Sequence, residues 1–552
     1  MKNSHQSLKI MMIGAEDEEN LAIRYLGAVL EKAGHEVFIN PCSRYEDFEK
    51  TLWQVNRFCP NLIGISIAFQ SLALMYFELA KKIKESLPKV HIIVGGHFPT
   101  FEYRKILETQ KFIDFVGRFE GEKTMLELAD FLLGKRKINQ IKNLVYRNGT
   151  ELYENECFND FPSLYDLPWP IRDRKPQARL DEKFATLISS RGCWHSSCLY
   201  CCIGAFHSKK PVKFKLRSPK LVAEEISYLF HKKGVRFFQF HDDNFMMPSK
   251  SATIERLKEL HRWLVEYNVS VQDIAFLIKA RPDTVDDEVV DWLKRIGTIG
   301  VFLGIENASQ TGLTALCRRN NVNDNQNALL TLHKKGIAVT YNLLIFHPKA
   351  TPKEIRENIK FMNSFNVFPF DFGRAEVCAG TPLECMLKKE NKLKGEWPNW
   401  DYEIENEKVN RMCQIYKKTF RDRNTAYGYM VHLNIALGYN AKLIERLHPG
   451  TIQMNLTNEA ERLIININTF IGKEVSILSS SLDRNWQEKE ISEFRENLEK
   501  GCKERIKLIE NINQKITNLV MAEHIFSKFG IEQKTQKVLN YLSNFNLLQK
   551  YD

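Results

Sequence analysis

Strand-like and helix-like patterns alternate in two successive series along these 552 residues, and that alternation restricts the fold more than any other feature. A strand, a helix and a further strand can share one sheet only through a crossover, so serial repetition builds parallel sheets covered by helices. The first series predicts strands at 9–13, 36–40, 62–66, 91–94 and 115–117, with amphipathic segments such as 20–33 and 72–86 between them. It describes an α/β, doubly wound, Rossmann-like domain over residues 1–135. Ligands of such sheets sit at the carboxyl ends of the strands. Those ends carry Gly14-Ala15, Ser66-Ile67-Ala68, Gly95-Gly96 and Arg118-Phe119-Glu120-Gly121-Glu122. The glycine pair would let backbone approach a bulky ligand, although a tight turn without a ligand would use it equally.

A polar stretch over 136–180, with a hairpin-like part (143–151) and a proline-rich run (161–176), reads as a linker. The second series predicts strands at 186–189, 237–240, 274–280, 300–304, 339–345 and 374–377. Six such units across 181–390 predict a partial (βα)6 TIM-type barrel with its site at the strand C-termini. From 391 to 552 the pattern is helical. This region names no chemistry, and its position after the barrel suggests that it closes over the pocket.

The loop leaving the first barrel strand carries Cys193, Cys198 and Cys201 within nine residues. Three thiolates so close together can hold three corners of a 4Fe-4S cluster and leave the fourth iron open. The alternatives are a disulfide or a structural zinc knuckle, with Cys202, His195 or His207 as the fourth ligand. Twelve cysteines, mostly scattered singly through so long a chain, do not form a disulfide framework and fit a reducing compartment. No stretch approaches the ~20 continuous apolar residues that span a bilayer. The N-terminal apolar run is too short for a signal peptide, so a cytoplasmic location without a membrane partner is expected. The net charge of +11 is spread along the chain with no nucleic-acid motif, so no nucleic-acid partner is expected.

The order of several short segments carries a resemblance. Gly95-Gly96-His97-Phe98-Pro99-Thr100 and Arg118-Phe119-Glu120-Gly121-Glu122 precede the cysteine loop. Phe214-Lys215-Leu216-Arg217-Ser218-Pro219, Phe240-His241-Asp242-Asp243-Asn244-Phe245, Lys279-Ala280-Arg281-Pro282-Asp283, Gly304-Ile305-Glu306-Asn307 and Gly380-Thr381-Pro382-Leu383 follow it. Over roughly residues 8 to 430 the chain resembles the cobalamin-binding radical S-adenosylmethionine enzymes. The resemblance sets zinc aside and implies three cofactors: a 4Fe-4S cluster, S-adenosylmethionine and cobalamin. It assigns Cys193, Cys198 and Cys201 to the cluster and Tyr200 to the adenine. Asp242, Asp243 and Asn244 fall where the family holds the amino group of S-adenosylmethionine; helix N-capping is their other reading. Arg281 and Glu306 would meet the carboxylate and ribose of that cofactor, or pair with each other. Cobalamin would touch Ser66, Gln70, Ser71, Gly95, Gly96, His97, Pro99, Thr100, Glu120, Gly121 and Glu122.

The implied activity is reductive cleavage of S-adenosylmethionine to a 5'-deoxyadenosyl radical, followed by methylation of an unactivated carbon of a small-molecule or natural-product substrate. Cyclisation or rearrangement without methyl transfer is the second implied outcome. The partners implied are the substrate and an electron donor such as flavodoxin or ferredoxin, acting on a monomer. A non-enzymatic cobalamin- or metal-binding regulator would leave the cysteine loop and the barrel strand ends without purpose. Two departures stand out. Four residues, Trp194 to Ser197, separate the first two cysteines where the family usually has three, so the loop must absorb one as a bulge. No Asp-x-His-x-x-Gly motif follows the first strand; many members of this family also lack it, so its absence does not exclude cobalamin.

Overall fold

Central strands of the first sheet are apolar throughout, because helices cover both of their faces. In the computed structural model, which describes residues 7–157, 163–173, 176–207, 214–421 and 425–528, β1 (Lys9–Gly14) and β3 (Leu62–Ser66) are almost entirely buried. With β2 (Glu36–Pro41), β4 (His91–Gly95) and β5 (Phe115–Gly117) they form a parallel sheet in the order β2-β1-β3-β4-β5. The order reverses between β1 and β3, which opens a crevice at their carboxyl ends. Residues 161–162 and 174–175 of the proline-rich run, and 529–552 of the helical region, lie outside the described residues.

The stretch read as a linker is not wholly one. β6 (Leu144–Asn148) pairs antiparallel with β5, and β7 (Glu151–Glu154) pairs with β6, so the hairpin extends the first sheet. Leu144, Val145 and Tyr146 bury themselves there, and this burial outweighs the polar composition around them. The chain then passes Arg24, whose guanidinium holds Glu16 at 2.7 Å and the carbonyl of Ile171 at 2.7 Å. Both side chains of the Arg24–Glu16 pair are only 2% exposed.

The second sheet opens with an antiparallel edge strand, β8 (Gln177–Arg179), followed by the parallel β9 (Glu182–Leu187). Past a short ribbon of β10 (Ser190–Gly192) and β11 (Phe214–Leu216), the parallel series continues. It comprises β12 (Phe237–Phe240), β13 (Ala275–Ala280), β14 (Thr298–Glu306), β15 (Ala338–Phe346) and β16 (Phe370–Arg374). Six parallel strands in sequence order, with β9 and β16 unpaired to each other, make a partial barrel. The last strand lies earlier than 374–377. Phe370 and Phe372 are buried against Tyr341 and Leu343 and set its register.

The region 391–552 is not helical throughout, since residues 394–401 form an antiparallel hairpin whose Trp397 packs on Phe77 and Phe98 of the first domain. A later helix closes the opposite end of the barrel from the one expected. Tyr439, Leu443 and Leu447, on the helix Tyr427–Leu447, pack with Phe184, Phe237, Ala275, Leu277 and Ile299, which lie towards the starts of their strands. The Tyr439 ring lies so close to Gly300 that a Cβ there would meet it at 2.5 Å. An apolar face at the strand starts therefore draws the helix to the bottom of the barrel and leaves the strand ends facing the first domain.

Arg24→Met should remove one partner of a buried pair and cost about 3–5 kcal/mol. Urea unfolding of the purified chain measures this loss. An unchanged transition would show that the Glu16 carboxylate is satisfied without the guanidinium.

Candidate active site between the sheet and the barrel

The β10–β11 ribbon carries the cysteine loop and is bound to the first domain by charge. Arg191 meets Glu122 at 2.7 Å and Glu120 at 3.3 Å, Lys215 meets Glu120 at 3.2 Å, and His207 lies 3.5 Å from the same carboxylate. Burial raises the Glu120 pKa, but the His207 hydrogen bond and the Arg191 and Lys215 charges outweigh it and hold the group down to about 2. The carboxylate therefore stays ionised through the physiological range, and this contribution would be lost only as pH falls from about 4.5 towards 2.

The loop itself is held from several sides. Trp194 Nε1 donates to the Met246 carbonyl at 3.0 Å, His195 Nε2 donates to the Cys317 carbonyl at 3.0 Å, and Leu199 N donates to the Leu316 carbonyl at 3.1 Å. The extra residue of the first gap is absorbed at Ser196, whose φ of 34° lies in the left-handed region. Its carbonyl then presses against Gly204, where a Cβ would stand 2.0 Å from that oxygen. A glycine at 204 is thus a condition of the four-residue gap.

Cys193, Cys198 and Cys201 are free thiols. Burial pushes the Cys193 and Cys201 thiols up, so their thiolates need the charge of a metal. His195 is pulled down to about 4 by burial and the nearby Arg281 charge, and its ring is committed to the Cys317 carbonyl. His207 faces Glu120. Among the described residues, no three of these thiols, Cys202, His195 and His207 bring their ligand atoms within 4.8 Å of one another, so no closed zinc knuckle is formed. Three free thiols on one loop fit a cluster with one open iron.

Polar groups at the strand ends surround this loop. The Tyr200 hydroxyl and the Cys198 sulfur each lie 3.5 Å from Arg318 Nη1. Glu306, with a φ of 65°, accepts from Asn342 Nδ2 at 3.1 Å, and burial pushes its carboxyl up. Arg281 pairs with Asp283 at 2.8 Å rather than with Glu306. Asp242 is buried and accepts from the Ser189 amide and hydroxyl and from Ser190 Oγ, so its carboxylate supports the strand end. Asp243 accepts from Gly192 N at 3.1 Å and lines the cavity described below. Asn244 Nδ2, Arg281 Nη1, Arg318 Nε and Asn342 Oδ1 are buried without a hydrogen-bond partner. Such orphaned polar atoms fit a polar ligand such as the amino acid end of S-adenosylmethionine.

A cavity of about 560 Å³ lies between the two domains. From the first sheet it is lined by Ser66, Gly95, Gly96, His97, Gly117, Glu120, Gly121 and Glu122, and from the cysteine side by Ile188, Arg191, Phe206 and His207. Gly96 has a φ of 109°, and a Cβ there would meet the Ile67 carbonyl at 2.8 Å. Burial lowers the His97 pKa, and its ring stands edge-on to Phe206 at 4.5 Å. This glycine-lined floor fits a broad ligand such as a corrin. Four of the expected contacts lie elsewhere. The Gln70 amide bonds the backbone of Val377, Ala379 and Pro398, Ser71 is exposed, Pro99 is buried in a helix, and Thr100 bonds Gly96 and Phe119.

Arg318 and Asn342 join the site without having been expected there. Asn342 carried a readable signal, a polar residue inside the apolar strand β15. Arg318 carried none, because a loop brings it to Cys198 from 120 residues away.

Comparison with known proteins agrees with this geometry. Residues 14–129 match the B12 binding domain model, and residues 187–362 match the radical SAM superfamily model. The chain belongs to the cobalamin-dependent radical S-adenosylmethionine enzymes, whose cofactors are cobalamin, S-adenosylmethionine and a 4Fe-4S cluster. It is 25% identical over 66% of its length to an uncharacterized methyltransferase of Pyrococcus horikoshii, covering 77% of that protein. It is 27% identical over 57% of its length to the anaerobic magnesium-protoporphyrin IX monomethyl ester cyclase of Synechocystis sp., covering 62% of it. It is 23% identical over 59% of its length to the hopanoid C-3 methylase of Methylococcus capsulatus, covering 61% of it. Among solved structures, OxsB with aqua-cobalamin and S-adenosylmethionine bound aligns over 93% of this chain and 84% of that one, with a TM-score of 0.62 and 15% identity. TsrM from Kitasatospora setae, with cobalamin and a [4Fe-4S] cluster bound, aligns over 70% of this chain and 75% of that one, with a TM-score of 0.58 and 16% identity. At such identities the likeness shows the fold.

Gly204→Ala should force the Ser196 carbonyl aside and misplace the cysteines while leaving both sheets folded. Iron analysis after anaerobic reconstitution is expected to show most of the iron lost, with an unchanged circular dichroism spectrum. Full iron loading would mean that the loop accommodates its extra residue in another way.

Proposed function

We propose that this enzyme transfers a methyl group to an unactivated carbon of a small molecule. The observation that carries this reading is the cavity shared by the glycine ends of the first sheet and the flank of the cysteine loop. One enclosure reached from both sides lets two cofactors and a substrate meet without diffusing apart. Similarity to the methyltransferase of Pyrococcus horikoshii and to the hopanoid C-3 methylase supports methyl transfer. Similarity to the magnesium-protoporphyrin IX monomethyl ester cyclases supports a second reading, radical cyclisation without methyl transfer.

When bound, the cluster supplies the electron that splits the sulfonium, and cobalamin supplies methyl-transfer chemistry. The chain's own residues do the positioning. Cys193, Cys198 and Cys201 would hold the cluster, and Arg318 places a positive charge beside the Cys198 sulfur. Tyr200, Asn244, Arg281, Glu306 and Asn342 would bind S-adenosylmethionine, with Asp243 facing its cavity side. Asp242 would act through Ser189 and Ser190 by fixing the strand end. Gly95, Gly96, His97, Gly121 and Ser66 would floor the corrin site, and Phe119 and Phe206 would exclude water from it. In this reading Glu120 and Glu122 shape the site through Arg191. Single-electron delivery by a flavodoxin or ferredoxin and action as a monomer complete the proposal. No described helix is long and apolar enough to cross a membrane.

Anaerobic protein supplied with reductant, hydroxocobalamin, S-adenosylmethionine labelled with deuterium in its methyl group and a small-molecule extract tests this reading by mass spectrometry. The expected result is a product that gains the labelled methyl, together with 5'-deoxyadenosine, and Cys198→Ala should abolish both. A product of unchanged carbon number would favour cyclisation. Undiminished 5'-deoxyadenosine from Cys198→Ala would contradict the radical assignment.

A further inference from the structure

The barrel begins on a turn that glycine would normally occupy. Leu180 and Asp181, between β8 and β9, have φ values of 53° and 65°, the left-handed pair of a tight hairpin. This turn presents Asp181 and Glu182 at the bottom of the barrel, the end away from the cysteine loop. Two histidines reach them from separate helices of the C-terminal region. His448 caps the helix Tyr427–Leu447, and His524 lies on the helix Glu488–Lys528.

The two rings are oriented alike. His448 Nδ1 lies against the Glu523 carboxylate, and His524 Nδ1 lies 2.8 Å from Asp181 Oδ2. That leaves both Nε2 atoms turned to one oxygen, Glu182 Oε1, at 2.7 Å for His448 and 3.2 Å for His524. The three atoms lie within 4.8 Å of one another, close enough to share a metal ion. The Glu182 and His448 side chains are 3% and 4% exposed, whereas His524 is 39% exposed and opens the group to solvent on one side.

A carboxylate on the outer nitrogen of each imidazole is how proteins aim histidines at a metal and raise their basicity. Two imidazole nitrogens and one carboxylate oxygen suit a borderline divalent cation, with a further position left for water. The local charge also suits one. Asp181, Glu182 and Glu523 outnumber Arg236, whose Nη1 is 3.6 Å from Glu182 Oε1. None of these groups contributes to the cluster, the S-adenosylmethionine site or the cavity between the domains.

We propose that Glu182, His448 and His524 form a divalent metal site, with zinc as its probe, that staples the C-terminal helices to the first barrel strand. Asp181 and Glu523 are its orienting carboxylates. The site is structural, and its loss should loosen the helices without removing the cluster.

The test uses the full-length chain with its iron-sulfur cluster assembled anaerobically. Zinc chloride is titrated in competition with a zinc-binding dye while iron per chain is followed, so that any zinc displacing iron from the cysteine loop is seen. One zinc should bind per chain without iron loss and should raise the melting temperature. His524→Gln, at the most exposed ligand, should lower zinc affinity tenfold or more and abolish the rise. Asp181→Asn, which leaves all three ligands in place, should weaken binding by about 10–100-fold. Zinc uptake only at the expense of iron, or equal affinity in wild type and His524→Gln, would overturn the proposal and leave a proton-mediated ion-pair cluster at this seam.

Discussion

The active site depends on a charged seam between two domains. Arg191 stands two residues before Cys193 and is joined to Glu122 and Glu120, which sit at the end of a strand in the other domain. Buried ion pairs of this kind add little net stability, because desolvation offsets most of their attraction. Their value here is geometric. A ribbon tied by its guanidinium to the strand ends of the first sheet must present its cysteines beside the glycine floor, so the cavity and the cluster loop share one wall. Losing Arg191 would leave the buried Glu120 and Glu122 carboxylates without the guanidinium they share.

The parts of this design visible in the sequence are those set by local pattern. Strands β1 to β5, the six parallel barrel strands and the cysteine loop follow from apolar runs that end in polar residues, and the structure places them close to where those runs lie. The hairpin of β6 and β7 was legible at 143–151, but its pairing with β5 was not, because short, polar-flanked segments owe their place in a sheet to an edge that only the folded sheet provides. Site residues divide in the same way. Gly95, Gly96 and His97 line the cavity as their position at the end of β4 predicts, whereas Gln70 bonds the backbone of Val377, Ala379 and Pro398 across the domain boundary. A side chain's choice between ligand and backbone is a tertiary fact. Asp242 shows the same limit, since two serines one strand away claim its carboxylate.

The helical C-terminus, expected over the pocket, instead seals the barrel floor through Tyr439, Leu443 and Leu447. Its pattern showed an apolar face without showing which end of the barrel lacked cover. The unusual cysteine spacing has a local answer that sequence comparison alone could not supply. Ser196 takes a left-handed conformation, and Gly204, eight residues on, yields the space its carbonyl needs. The reaction end of the barrel is thereby separated from its structural end, with strand C-termini open towards the cavity between the domains and strand N-termini closed by helices.

The most direct test of the account is an experimental structure of the anaerobically reconstituted chain with hydroxocobalamin bound. The corrin should lie between Gly95-Gly96 and Phe206-His207, in the same enclosure as the iron held by Cys193, Cys198 and Cys201. A corrin bound elsewhere, with that cavity empty or filled by side chains, would contradict it.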